Sequence, residues 1–122
     1  MAYEVGTQHV AEKDYGYFAI YLSTDRKKID LVKKLVLEQL EKLKNISEKE
    51  LQEAKDYLEG DYFLEVEDNQ KLADHLCFWE QVGDARKIEE FVKKVKKVTI
   101  GDVQRVVEKY FKNYCLAVVE GK

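Results

Sequence analysis

The sequence predicts an α+β fold: a small, mostly antiparallel sheet, built from a hairpin plus a C-terminal strand, packed against about five helices. Three observations lead there. An aromatic run at residues 14–23 alternates in the manner of a strand. Apolar residues then recur at spacings of three and four over the next eighty residues, punctuated by capping signatures. An apolar run, Tyr114–Val119, closes the chain and must travel back to the sheet that the first strands opened.

The elements follow in order. Residues 3–11 read as a first strand, Lys13-Asp14 as the turn, and residues 15–23 as a second strand. In that second strand Tyr17, Ala19 and Tyr21 share one face, and Phe18, Ile20 and Leu22 the other. Both faces are apolar or aromatic, so the strand is expected to be covered and well inside the sheet. A helix is expected from Asp25, read as its N-cap, to Lys44, with Ile29, Val32, Val36, Leu40 and Leu43 as its stripe, widened by Leu31 and Leu35. Ser47-Glu48-Lys49-Glu50 is a capping box. Its helix runs to about Val66 through Gly60, with Leu51, Ala54, Leu58, Tyr62 and Glu65 along one side.

Asp68-Asn69 restarts a helix that carries Leu72, Leu76, Cys77, Phe78 and Trp79. Gly83 is a natural C-cap, and Asp84 an N-cap for a helix ending near Val98. Thr99-Ile100-Gly101-Asp102 repeats the capping-box logic. It starts a helix with Val103, Val106, Val107 and Tyr110 on one face, closed by Asn113. There is no proline, so turns rely on glycine, Asn and Asp. No internal repeat or low-complexity linker is visible, and 122 residues read as one domain.

Composition narrows the function. Hydrophobic residues at 45% and charged residues at 37% describe a highly soluble globular chain. No stretch approaches the apolar length of a membrane span, and no secretion leader opens the chain, so no membrane partner is expected. The two cysteines, Cys77 and Cys115, read as buried, reduced thiols of a cytoplasmic protein. The net charge of −3 conceals a basic part: residues 86–112 hold nine Lys/Arg against four Asp/Glu. Within it Ile88, Phe91, Val92, Val95 and Val98 share one arc of a helix, and Lys93, Lys94, Lys96 and Lys97 lie opposite. That is a solvated face over a core stripe, and no arginine cluster, glycine loop or aromatic platform accompanies it. Nucleic acid is therefore not expected as a partner.

Catalytic groups are sparse. The histidines are His9 and His75 alone. His75 and Cys77, two residues apart, point to different sides of a helix, so no metal centre is expected in the chain. Ser23 and Ser47 are the only serines; Ser47 is already a cap, and neither sits in a glycine-flanked elbow. Glu48, Glu50, Glu53, Asp56, Glu59 and Asp61 crowd one helix, as a solvated face does. Tyr3, Tyr15, Tyr17 and Tyr21 cluster in the opening hairpin. They form either a packing surface for another subunit or a peptide, or a layer under the helices with hydroxyls at the edge.

The wording of the chain resembles the pitrilysin/insulinase family of zinc metallopeptidases, which includes the mitochondrial processing peptidases. In the C-terminal part of a subunit that family carries an arginine segment, then Gly- or Ala-Tyr-x-Val, then an Asp-x-Gly-x-Phe-x-Ile-Tyr strand. Ala2-Tyr3-Glu4-Val5 and Asp14-Tyr15-Gly16-Tyr17-Phe18-Ala19-Ile20-Tyr21 match here. So do Glu38-Gln39-Leu40-Glu41-Lys42-Leu43 and Ser47-Glu48-Lys49-Glu50-Leu51-Gln52-Glu53-Ala54-Lys55. The closing phrase is matched by Val98-Thr99-Ile100-Gly101-Asp102-Val103 and Lys109-Tyr110-Phe111.

The resemblance implies a metallohydrolase-like domain, the C-terminal, non-zinc part of a larger subunit, forming part of a peptide-binding chamber. It implies that Tyr3, matching the family's tyrosine, contacts the peptide substrate. It also implies that zinc is bound elsewhere in the parent enzyme, with no cofactor in this chain. The family's inverted zinc motif, His-x-x-Glu-His, is absent from the sequence. The arginine partner of the tyrosine would fall before residue 1. The chain alone is expected to be inactive, working with a peptide substrate and a zinc-bearing domain or subunit. The alternative is a protein–protein assembly module that uses the tyrosine-rich hairpin and its edge, with another chain or, in a homo-oligomer, an identical copy as its partner.

Overall fold

The computed structural model describes residues 2–120. The fold class is α+β, with five α-helices and one two-stranded antiparallel sheet among these residues. Strands β1 (Ala2–Ala11) and β2 (Gly16–Thr24) form the hairpin. The helices are α1 (Ile29–Lys42), α2 (Glu48–Glu67), α3 (Asn69–Gln81), α4 (Phe91–Lys97) and α5 (Ile100–Tyr110). Short 3-10 turns occupy Arg26–Lys28, Leu43–Asn45 and Ala85–Glu90. The chain divides into two compact units, Met1–Asn45 with Val106–Lys122, and Ile46–Arg105.

In the first unit the turn lies where the sequence puts it, and the Glu12 N–H donates to the Tyr15 carbonyl at 2.8 Å. From Glu4 to Ala11 the register is regular, with Val5 opposite Leu22, Gly6 opposite Tyr21 and Val10 opposite Tyr17. Near the start of β1 the register shifts: Ala2 pairs Thr24 and Glu4 pairs Ser23, leaving Tyr3 as the extra residue of a β-bulge. One hairpin face carries Phe18, whose ring stacks at 5.2 Å on Phe111 just beyond α5. Val32 of α1 and Val107 of α5 are the buried side chains of this unit among the described residues.

Three expectations are corrected in this unit. Tyr114–Val119 does not form a strand: no sheet hydrogen bonds hold it, and Leu116 and Val118 stand about half exposed. Its apolar alternation suits a strand, but a strand needs a partner ladder, and among the described residues β1 and β2 pair only with each other. For the same reason β2 is not interior to its sheet, and Tyr17 and Tyr21 remain 49% and 52% exposed. The thiol of Cys115, carried on the unpaired segment, is exposed rather than buried.

The second unit is helical. The Ser47 capping box forms as predicted: the Glu50 N–H donates to Ser47 Oγ at 3.2 Å, and the Ser47 N–H to Glu50 Oε2 at 2.9 Å. Asp68 caps α3, accepting the Gln70 and Lys71 amides. Helix α3 ends in a Schellman arrangement, in which the Asp84 N–H reaches the Trp79 carbonyl and the Gly83 N–H the Glu80 carbonyl. Gly83 takes a φ of +148°, which side-chain-bearing residues rarely adopt.

The helix expected from Asp84 to Val98 is divided into a 3-10 segment and α4. The Ile88 carbonyl lies at the join, accepting both the Phe91 N–H and the Tyr62 hydroxyl, the latter at 2.7 Å. Leu51 is the buried side chain here among the described residues. Cys77, on the outer side of α3, is exposed, which corrects the expectation of a buried thiol.

Candidate functional site

Tyr3 is the one side chain for which the family resemblance implies substrate contact, and the hairpin presents it in a specific way. The bulge takes residue 3 out of the cross-strand pairing, so its side chain is aimed independently of the ladder. The residue is 79% exposed. Its hydroxyl donates to Asp25 Oδ1 at 2.9 Å, while Lys28 Nζ donates to Asp25 Oδ2 at 2.6 Å. Asp25 follows the last residue of β2, and Lys28 lies one 3-10 turn further on. The two ends of the hairpin and the entry to α1 thus converge on one carboxylate.

Asp25 therefore does not act as the side-chain N-cap that the sequence suggests. Its side chain accepts no helix amide, although its carbonyl accepts the Lys28 N–H at 2.8 Å. The hydrogen bond from Lys28, and secondarily that from Tyr3, hold the Asp25 carboxyl below its ordinary range. The same hydrogen bond pushes the Tyr3 phenol above its ordinary value. At neutral pH the phenol keeps its proton and the carboxylate is ionised. The Tyr3 oxygen then retains acceptor capacity for a peptide N–H, and its proton can be redirected to a peptide carbonyl.

Sequence reasoning missed Asp25 and Lys28 as partners of Tyr3. The signal was present: a turn centred on Lys13-Asp14 makes residue 3 a cross-strand neighbour of residues 24 and 25.

The tyrosine layer takes shape beside this site. The Tyr21 ring lies directly over Gly6, so a Cβ added at that position would collide with it. Tyr17 and Tyr21 share the hairpin face opposite Phe18 and are about half exposed, while Phe18, 43% exposed, sets its ring against Phe111. With Tyr3, Tyr15, Tyr17 and Tyr21 all about half exposed or more, the opening tyrosines do not form a layer beneath helices.

The other candidate groups stay apart. His75 Nε2 lies 3.1 Å from Glu65 Oε2, with the Tyr62 ring 5.8 Å away, whereas Cys77 Sγ accepts from Gln81 Nε2. The hollow of about 280 Å³ beside His75 is lined by Glu65, Lys71, Asp74 and Phe78. Among the described residues no three His, Cys, Asp or Glu side chains come together as a metal site would require. On the lysine face, Lys94 pairs Glu90 at 2.9 Å and Lys96 pairs Glu59 at 2.6 Å. The arc of Ile88, Phe91, Val92, Val95 and Val98 is half-buried, as the helical spacing predicts. No helix among the described residues is long and apolar enough to cross a membrane.

Residues 1–58 match the family model described as the Peptidase M16 inactive domain. The match includes the Tyr3 segment, the aromatic strand and the Ser47 capping box. The resemblances at Val98–Val103 and Lys109–Phe111 lie outside it. No curated protein and no solved structure matches the chain. Over slightly less than half of its length, then, this chain is similar to the non-catalytic domain of M16 metallopeptidases, with no particular member of that family distinguished.

Proposed function

We propose that this chain serves as the C-terminal, non-zinc-binding part of a pitrilysin/insulinase-type metallopeptidase. Its sheet forms part of the wall of a peptide chamber, and Tyr3 holds the substrate. Zinc and the general base come from a separate domain or subunit, so the chain by itself binds peptide without cleaving it. The supporting observation is the match over residues 1–58, within which Tyr3 is exposed on a bulge and braced by Asp25. A reducing, cytoplasmic setting suits the two free thiols.

The test is binding of labelled unstructured peptides, read by fluorescence anisotropy, together with a cleavage assay in zinc. Wild type is expected to bind without cleaving. Tyr3→Phe is expected to weaken binding about fivefold, the worth of one hydrogen bond of about 1 kcal/mol. Chelator-sensitive cleavage by the chain alone would refute the division of labour. Unchanged affinity in both Tyr3→Phe and Tyr3→Ala would refute the role of the tyrosine.

A second reading, assembly with another chain through the hairpin, is favoured by the half-exposed Tyr17 and Tyr21 and by the two-stranded sheet. Light scattering over a dilution series tests it, and a monomer at every concentration would exclude self-assembly.

A further inference from the structure

We propose that Tyr114–Val119 is a strand for a second copy of this chain. It pairs along an open edge of the partner hairpin, and the partner returns the same contact, giving a two-fold dimer in which each sheet gains a third strand. The proposal is independent of the peptide-chamber role and specifies which segment would be exchanged in self-assembly.

The first argument is a mismatch within one chain. Tyr114, Leu116 and Val118 alternate with Cys115, Ala117 and Val119, a run rich in strand-forming residues. Yet no sheet partner holds the segment, and Val119 is 97% exposed. The hairpin has the converse deficiency. Two strands of ten and nine residues make a marginal sheet, and a third strand is the usual remedy. Each copy therefore carries one donor strand and one sheet that lacks a strand, the one-to-one match that a closed isologous dimer requires.

The second argument is how the segment is held. Among the contacts that tie the segment to its own unit are an ion pair of the following residue, Glu120, with the exposed Arg26 guanidinium at 3.1 Å and the Lys33 ammonium 5.7 Å from the Tyr114 ring centre. Both are solvent-exposed, and Tyr114, Leu116 and Val118 stand about half exposed where they lie, so transfer to another chain gives up only partly buried contacts. The receiving strands are regular from Val5 to Ala11 and from Gly16 to Leu22, longer than the six residues to be added. Strand addition takes its affinity from main-chain hydrogen bonds, and the half-exposed Tyr17 and Tyr21 extend the apolar face that the added strand would continue.

The test uses the full chain. Light scattering over a dilution series is expected to show a dimer. Ala117→Pro, which removes a ladder N–H, is expected to raise the dimer dissociation constant tenfold or more, roughly the loss of a strand hydrogen bond with its neighbours. Circular dichroism verifies that this variant stays folded, and Val118→Glu serves as a second disruption. In a Cys77→Ser background, Cys115 is expected to form a disulfide with the thiol introduced by Thr7→Cys on β1 or by Ala19→Cys on β2. Mixing tagged and untagged copies shows whether that bond joins two chains. A monomer throughout, a dimer indifferent to both Ala117→Pro and Val118→Glu, or disulfides formed only within one chain would each overturn the proposal.

Discussion

Asp102 is the carboxylate whose surroundings reshape it most clearly. Its Oδ2 accepts the Thr99 N–H at 3.0 Å and the Thr99 hydroxyl at 2.8 Å, and Arg105 donates to Oδ1 at 3.1 Å. These bonds, the Thr99 hydroxyl foremost, lower its pKa to about 2 from an ordinary 3.8. A carboxyl lowered in the folded state adds stability that is complete above the ordinary value and is lost as pH falls toward 2. Thr99→Ala is expected to cost about 1 kcal/mol near neutral pH, as loss of a helix cap does. It should also flatten the acid-side decline. Urea midpoints of the two proteins should differ near neutrality and converge near pH 2. A constant difference across that window would show that the cap acts without its carboxylate. Thr99 and Asp102 were legible because a capping box is a local motif. Asp25 was read as a local cap instead, because its partner Tyr3 is 22 residues away in sequence and the pairing shows only when the hairpin register is followed to its open end.

The helices were legible almost element by element, since their starts and stops are written in neighbouring residues. Ser47, Asp68 and Thr99 all cap where the sequence places them. The departures occur where a distant group intervenes. Asp25 is drawn off by Tyr3 and Lys28, and α1 begins at Ile29 after a 3-10 turn. The Tyr62 hydroxyl on the Ile88 carbonyl marks the join between the 3-10 segment and α4. Two glycines in one unit provide opposite predictions. Gly83 needs its positive φ to end α3, so Gly83→Ala is expected to destabilise by about 1 kcal/mol or more. Gly60 sits inside α2 with open space where a methyl group would go, so Gly60→Ala is expected to stabilise by about 1 kcal/mol. Thermal melts of both variants check the signs, and matching signs would contradict the backbone argument.

At the scale of the molecule, the α+β class was legible and the sheet was overcounted. Periodicity identifies a segment able to form a strand; it carries no information about whether an edge receives it, and Tyr114–Val119 is the example. The thiol assignments failed for a related reason, since residue type predicts burial only on average and both cysteines sit on outward positions. Each compact unit has its own buried anchor, Val32 and Val107 in one and Leu51 in the other, among the described residues. Leu51→Ala is expected to cost about 2–4 kcal/mol, the range for removing a buried leucine side chain. Hydrogen exchange should show the loss first in α2 and its neighbours in sequence, and a cost below about 0.5 kcal/mol, typical of surface positions, would contradict the burial.

The bulge at Tyr3 has a consequence for how this hairpin can change over time. Every other residue from Glu4 to Ala11 has a partner across the ladder, so a substitution there is filtered by its effect on pairing. Position 3 escapes that filter. Its side chain is constrained by its bond to Asp25 rather than by the ladder, so a substitution there acts on that one contact and leaves the strand pairing in place. The extra residue also resists register slippage, because sliding β1 by one residue would carry the bulge into the regular ladder. A single inserted position thus frees one side chain from the pairing that constrains the rest of the strand.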